Sequence, residues 1–390
     1  MQRIYLDHNA TTPAAPEVIE AVARCLSEEI GNPSSIHYFG QRAKRVLEEA
    51  REEVASLLGA DAKEIIFLSG GTEANNLAVK GVAEARSEKG RHLITTTIEH
   101  HAALHAFEAM QKRGCEVTRL PVDEQGRARI ADLAAALRPD TALVSVMLAN
   151  NEVGTIQPVQ EMAALCREQG VVFHTDAVQA VGKIPVDVSA LGVDLLSLSG
   201  HKFYGPRGVG ALYVRKGVAF APQMHGGHQE RERRAGTENL AGIVGLAAAA
   251  RLAREHLEEW ATHTRRLRDR LEAGLRERLE GVTLFGHPER RLPNTLCAAF
   301  SGAEGESLLM NLDLKGVAVS TGSACASGTV EPSHVLTAMG APRELARAAL
   351  RFSLGRGNTE AEIGRVLELL GDIVPRVRSL APSYRGKSAR

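Results

Sequence analysis

Nowhere in the 390 residues is there an uninterrupted apolar run of the roughly 20 residues that a membrane-crossing helix needs. The Ala-rich stretch from Gly242 to Ala253 comes nearest, but it is short and charges follow it, so no membrane partner is expected. Net charge is missing too. Lysine plus arginine (47) balance aspartate plus glutamate (47), and no whole-molecule field would gather nucleic acid. Small partners are the expectation. The five cysteines, Cys25, Cys115, Cys166, Cys297 and Cys325, include no C-x-x-C pair, which argues against a disulfide framework and against a clustered zinc site. Any special cysteine must act alone. Met1 to Thr12 holds neither an apolar signal core nor an arginine-rich transit pattern, so the expected location is the cytoplasm. No repeat recurs at a fixed period.

What is present is a chain with 44% hydrophobic residues, long enough for a large core split into two lobes. From about Glu64 to Val214 short β-rich runs alternate with helical patterns, the βαβ signature of an α/β fold with a mostly parallel sheet. Seven strands are predicted: Glu64–Leu68, His92–Thr97, Glu116–Leu120, Thr141–Leu148, Val171–Thr175, Leu195–Leu198 and Ala211–Val214. Helices at Ala74–Lys89, Ala102–Arg113 and Val159–Gln169 each end near a glycine suited to a C-cap. Past Thr237 a helical run to about Leu279 precedes strands near Thr295–Phe300, Val317–Ser320 and Ala348–Ser353, the texture of an α+β second lobe. Thr321–Thr329, T-G-S-A-C-A-S-G-T, reads as a loop of small residues.

Chemistry concentrates at strand ends. In S-L-S-G-H-K-F-Y-G-P-R-G-V-G, Ser197–Gly210, an apolar strand delivers Lys202 onto a Gly-flanked turn. That lysine is either a solvated turn residue or a desolvated amine with the lowered pKa that Schiff-base chemistry requires. G-P-R-G-V-G precedes a strand rather than a helix, so a dinucleotide loop fails on context. Asp176 closes a buried strand, with Gln179 just after, and is read either as a helix N-cap or as a group facing the ligand crevice of an open sheet. Paired with Lys202 it suits a pyridinium nitrogen, whose protonation its charge would favour. F-L-S-G-G-T-E-A-N-N runs strand, turn, helix. Gly70, Gly71 and Thr72 would offer N–H groups to a phosphate, or simply begin a capped helix; the spacing is not that of a nucleoside triphosphate loop. His100 is placed at a strand end, as a structural imidazole or a ring that stacks and shuttles protons. His100, His101 and His105 lack a clear helical H-x-x-x-H pair with an added carboxylate or cysteine ligand, and no metal is expected.

Together with L-D-H-N-A-T-T (Leu6–Thr12), G-N-P-S-S-I-H (Gly31–His37), A-N-N-E-V-G (Ala149–Gly154) and R-A-G-T-E-N (Arg234–Asn239), these segments closely resemble the NifS/IscS-type cysteine desulfurases over nearly the whole chain. The resemblance implies a fold type I pyridoxal 5′-phosphate enzyme, acting as a homodimer, with a large cofactor domain in residues 15–258 and a smaller domain from 1–14 and 259–390. It implies that Lys202 links covalently to the cofactor, that Asp176 meets the pyridinium nitrogen, that His100 stacks on the ring, and that Asn151 and Gln179 lie near the phenolic oxygen. Gly71, Thr72, Ser199 and His201 would hold the phosphate, with Thr237 reaching in from the second subunit. Arg351 in L-R-F-S-L-G-R would grip the carboxylate of L-cysteine, its alternative being a strand-end residue in a surface ion pair. Cys325 in T-G-S-A-C-A-S-G would take the sulfur as a persulfide and pass it to an acceptor protein, such as an iron-sulfur scaffold. The other four cysteines are expected to be inert. Selenocysteine lyase, aminotransferase and non-catalytic scaffold are the rival readings. R-A-G-T-E-N is closer to the NifS branch, and the basic tail after Leu380 shows no IscS-type docking end.

Overall fold

The computed structural model describes residues 3–321 and 332–380; Cys325 and the tail after Leu380 lie outside them. Seven strands form the main sheet: β1 (Ile65–Leu68), β2 (His92–Thr96), β3 (Glu116–Leu120), β4 (Thr141–Ser145), β5 (Val172–Asp176), β6 (Leu195–Ser199) and β7 (Gly210–Val214). Their spatial order is β1-β7-β6-β5-β4-β2-β3. The β6-β5-β4-β2-β3 run is parallel throughout, whereas β7 runs antiparallel between β1 and β6. Every strand except the edge strand β3 is buried along its whole length. That is why these segments read as continuous apolar runs rather than alternating ones.

The helix expected at Ala74–Lys89 ends at Ala85, with Arg86 rather than a glycine as its C-cap, and two further boundaries differ from expectation for physical reasons. β4 ends at Ser145 rather than Leu148: toward β5 the chain still donates, Val146 N to His174 O (3.1 Å) and Leu148 N to Asp176 O (2.9 Å), but Met147 N–H on the other side bonds the Glu99 carboxylate, at 2.9 Å. The first crossover helix, α1 (Gly71–Ala85), starts earlier than Ala74. Gly70, at φ 152°, supplies the sharp entry that lets the chain leave β1 and turn at once into helix. Helix α2 (His101–Lys112) follows β2. It and the helix Val159–Glu168 are followed by Gly114 and Gly170 in left-handed conformation, as a glycine C-cap requires.

A 39-residue helix, α3 (Leu240–Arg278), carries apolar residues of two cores. Leu246, Ala249 and Ala253 pack with Phe173, Leu196 and Phe203 against the main sheet. Leu267, Leu271 and Leu275 pack with Phe300, Leu350, Phe352 and Leu370. This second core covers an antiparallel sheet of β8 (Val282–Phe285), β9 (Thr295–Phe300) and β10 (Ala349–Ser353), in the order β10-β9-β8. Ile4 and Leu6 join it, with Ile4–Tyr5 pairing parallel to Val317–Ala318. The segment Asp7–Thr12 then runs back toward the main sheet, where Thr12 bonds the main chain of His201. Among the described residues no helix is long and apolar enough to cross a membrane.

Candidate active site

The carboxyl ends of β5 and β6, the start of α1 and the start of α2 converge on one cavity of about 250 Å³. Parallel strands bring their ends to one side of a sheet, so residues distant in sequence share this crevice. Lys202, His201 and Ser199 enter from the end of β6, Asp176 and Gln179 from β5, Gly71 and Thr72 from α1, His100 from α2, and Asn151 from the loop beyond β4.

Lys202 sits in the short 3₁₀ turn after β6, and its Nζ donates to the main-chain oxygens of Asn9 (2.7 Å) and Ala10 (2.8 Å). Burial brings its pKa down to about 8. Arg351 pushes the same way, and Asp176 and Asp7 offset part of the fall. This is the desolvated amine, not the solvated turn lysine. Asp176, 4% exposed, accepts from Val178 N at 2.9 Å and from Asn75 Nδ2 at 2.6 Å. It therefore caps the turn that follows, which is not a regular helix, and it also borders the cavity.

His100 is not at the end of β2, which stops at Thr96, but is the N-cap of α2. Its Nδ1 accepts from Ala102 N at 3.1 Å, which leaves Nε2 as the nitrogen free to carry the proton. Loss of solvation lowers its pKa, Asp176 opposes that, and Lys202 adds to it. Burial likewise takes His201 down to about 4, so its imidazole is neutral near pH 7; its Nδ1 lies 3.1 Å from Thr11 Oγ1.

Arg351 is in the middle of β10, buried rather than on a surface. It bonds Asp7 Oδ1 (2.8 Å) and the main-chain oxygen of Asn151 (3.0 Å), while its Nε is buried without a hydrogen-bond acceptor among the described residues. Thr237 is exposed and does not line this cavity. Burial raises the thiol pKa of Cys25, Cys115, Cys166 and Cys297, that of Cys166 to about 12, which holds all four as unreactive thiols.

Three residues of the site were not singled out from the sequence. Asn75 lies one helical turn after Gly71 on the cavity face of α1, and its Oδ1 is buried with no partner among the described residues; the i, i+4 spacing from Gly71 was its available signal. Asn9 supplies the oxygen that holds both Lys202 and Gln179, and Lys183 bonds Gln179 and Asn9. The Gln179–Lys183 pair has the i, i+4 spacing as its signal, whereas the contacts of Asn9 have no local signature.

Residues 4–366 match the model of the family described as aminotransferase class V. A cysteine desulfurase IscS of Dictyoglomus turgidum is 51% identical over 381 residues, covering 98% of this chain and 97% of that protein. Among solved structures, a NifS-like protein superposes with a TM-score of 0.91 at 42% identity, over 96% of this chain and 100% of its own. SspA, solved in complex with cysteine, gives 0.80 at 35% identity over 91% of this chain and 100% of its own. With residues 4–366 matched by that model and 98% of its length aligned to a relative at 51% identity, the chain belongs to the class-V aminotransferase family.

Proposed function

We propose that this protein is a pyridoxal 5′-phosphate-dependent cysteine desulfurase that converts L-cysteine to L-alanine and leaves the sulfur as a persulfide on Cys325. The observation that carries the cofactor is the convergence of a softened lysine, a buried carboxylate and a set of donors on one cavity. Lys202 would make the covalent link, and Asp176, held by Asn75, would meet the pyridinium nitrogen. The unsatisfied Asn75 Oδ1 in the wall supports a polar occupant. The N–H groups opening α1 at Gly71 and Thr72, with Ser199 and His201, would form a phosphate cradle, close-packed enough that a Cβ on Gly71 would come within 2.7 Å of Val178. When bound, the cofactor supplies the electron sink that stabilises charge at the substrate Cα.

The chain's own residues do the rest. Arg351 does not line the cavity as it stands, and its guanidinium would have to turn from Asp7 and Asn151 to meet the substrate carboxylate. Lys202 would take the Cα proton, and His100 would move protons through Nε2. Cysteine's Cβ–S bond breaks as an S–S bond forms to Cys325, and Cβ gains a proton to give alanine, so no external oxidant or reductant is needed. Residues 15–258 would form the cofactor domain, and 1–14 with 259–390 the smaller one. Exposed apolar side chains at Ile30, Ile36, Tyr38 and Phe39 support a homodimer, in which Thr237 would complete the partner's phosphate site. The location proposed is the cytoplasm, and the product an activated sulfur for an acceptor protein, such as an iron-sulfur scaffold. Brief exposure to cysteine should add one sulfur to the peptide carrying Cys325, as read by mass spectrometry, and release an equal amount of alanine. Cys325→Ser should abolish both. Alanine release without sulfur on that peptide would overturn the assignment.

A further inference from the structure

Beyond β5 the chain turns helically, with Val181 N bonded to Ala177 O (3.0 Å) and Ile184 N to Ala180 O (3.1 Å). Side chains four apart therefore face one way, which aligns Gln179 with Lys183. Lys183 is 9% exposed, and its Nζ donates to Gln179 Oε1 at 2.6 Å and to Asn9 Oδ1 at 2.9 Å. Among the described residues it has no carboxylate partner. A buried lysine without a counter-ion is rare unless it is uncharged. Burial holds its pKa well below the ordinary value, and Lys202 and Arg351 act the same way. The other titratable ring facing it, His8, is itself lowered to about 4 and brings no negative charge. A neutral amine has two N–H bonds, and the two contacts use both.

The effect falls on Gln179. An amide presents either an oxygen or an NH₂, and the neighbours decide which. With Oε1 taken by Lys183, Gln179 keeps Nε2 as its free face; that group now donates to Asn9 O at 2.9 Å, the same oxygen that receives Lys202. We propose that Lys183 is a positioning residue for the cofactor, fixing the Gln179 amide so that an N–H, not a carbonyl oxygen, meets the cofactor's phenolic oxygen. This deepens the cofactor reading above and rests on it. An N–H aimed at that oxygen stabilises its negative charge, which is greatest once the nitrogen contributed by Lys202 has lost its proton. The fixed amide therefore lowers the pH at which that nitrogen deprotonates, and a freed amide raises it.

The test is the pH titration of the bound cofactor's absorbance. In Lys183→Met the midpoint should rise by about one pH unit, the worth of a hydrogen bond to a charged group. In Lys183→Arg, which keeps donors toward Gln179, it should not rise. A yellow Lys183→Met protein with the parent's midpoint would overturn the inference while leaving the cofactor reading intact; parent protein that develops no absorbance with pyridoxal phosphate would overturn that reading itself. Should Lys183→Met not fold, Lys183→Met/Gln179→Met removes both partners of the buried bond together and is better tolerated. Its midpoint should equal that of Gln179→Met alone, and a further shift in the double variant would show that Lys183 does not act through Gln179.

Discussion

Asn75 Nδ2 lies 2.6 Å from Asp176 Oδ2, while the other carboxylate oxygen accepts from Val178 N at 2.9 Å. Two donors from different elements thus fix the plane of a carboxylate that is almost wholly buried. Asn75→Ala removes one hydrogen bond to a charged group, worth about 1.5–3 kcal/mol. Cofactor affinity should fall about tenfold or more. Titration of cofactor absorbance on the folded variant measures this, and an unchanged Kd would show that Asn75 has no part in holding Asp176.

The sheet was legible because burial writes itself into sequence. Four of its five parallel strands are buried along their whole length, so runs such as Ala142–Val144 are apolar without alternation, and the strands alternate in order with helices. The strand-end chemistry was legible for a related reason: Asp176 ends β5 and Lys202 lies in the turn just after β6, and the carboxyl ends of parallel strands border the crevice. His100 was misplaced by a few residues because a short turn, Thr97–Glu99, separates β2 from its helix, and turns of that length leave no periodicity to read. The contacts of Asn9 were invisible. They join the start of the chain to Gln179, Lys183, Asn294 and Thr295, and pairings of such sequence separation have no local pattern. Arg351 illustrates the same limit, since only the fold puts Asp7 and Asn151 beside it.

Lys202 sets a pH dependence whose sign follows from its surroundings. Only the uncharged amine attacks an aldehyde, and a pKa of about 8 leaves about a tenth of it uncharged at pH 7, against well under ~0.1% for an ordinary lysine. The rate at which cofactor-free protein captures pyridoxal phosphate should climb tenfold per unit below pH 8 and level off above it. Stopped-flow absorbance across pH 6 to 10 checks this. A rate still climbing at pH 10 would mean that the amine is solvated.

Glu99 should be a neutral acid at pH 7. It is fully buried, Thr96 Oγ1 (2.7 Å) and Met147 N (2.9 Å) both bond one oxygen, and the other has no partner among the described residues. Burial raises its pKa to about 8, against an ordinary 4.5, with the charge of Asp176 acting in the same direction. The folded state thus binds a proton that the unfolded chain has released. Its stabilising share is complete below pH 4.5 and is lost as pH rises toward 8, at about 1.4 kcal/mol per unit. Glu99→Gln keeps the shape without the titration. The parent-minus-variant difference in unfolding free energy, from denaturant melts, should fall between pH 5 and 8 in favour of the variant. A difference independent of pH would mean that Glu99 is ionised in the fold.

Strain gathers in the segment before Thr237. Glu230, Arg231 and Glu232 have φ of 46°, 58° and 65°, three consecutive side-chain-bearing residues in the left-handed region. Each such residue costs roughly 1–2 kcal/mol. What holds them there is Glu230, whose carboxylate is bonded by both Arg51 guanidinium nitrogens (2.7 and 2.8 Å) and by Phe67 N (3.0 Å), in a pair that is 3% exposed on either side. Breaking a buried pair from one side leaves a charge without its partner, so Arg51→Met should cost about 3–5 kcal/mol. Glu232 is different: its one ion pair, to His228, is 75–87% exposed and contributes almost nothing. Glu232→Gly removes the left-handed penalty at the cost of a more flexible unfolded chain, for a net gain of about 0.5–1 kcal/mol. In a chain of this size that is a rise of about 1–2 °C in Tm. Calorimetry of the two variants should therefore show opposite signs, and a Glu232→Gly protein that melts lower than the parent would mean that the exposed carboxylate, not the buried one, anchors the segment.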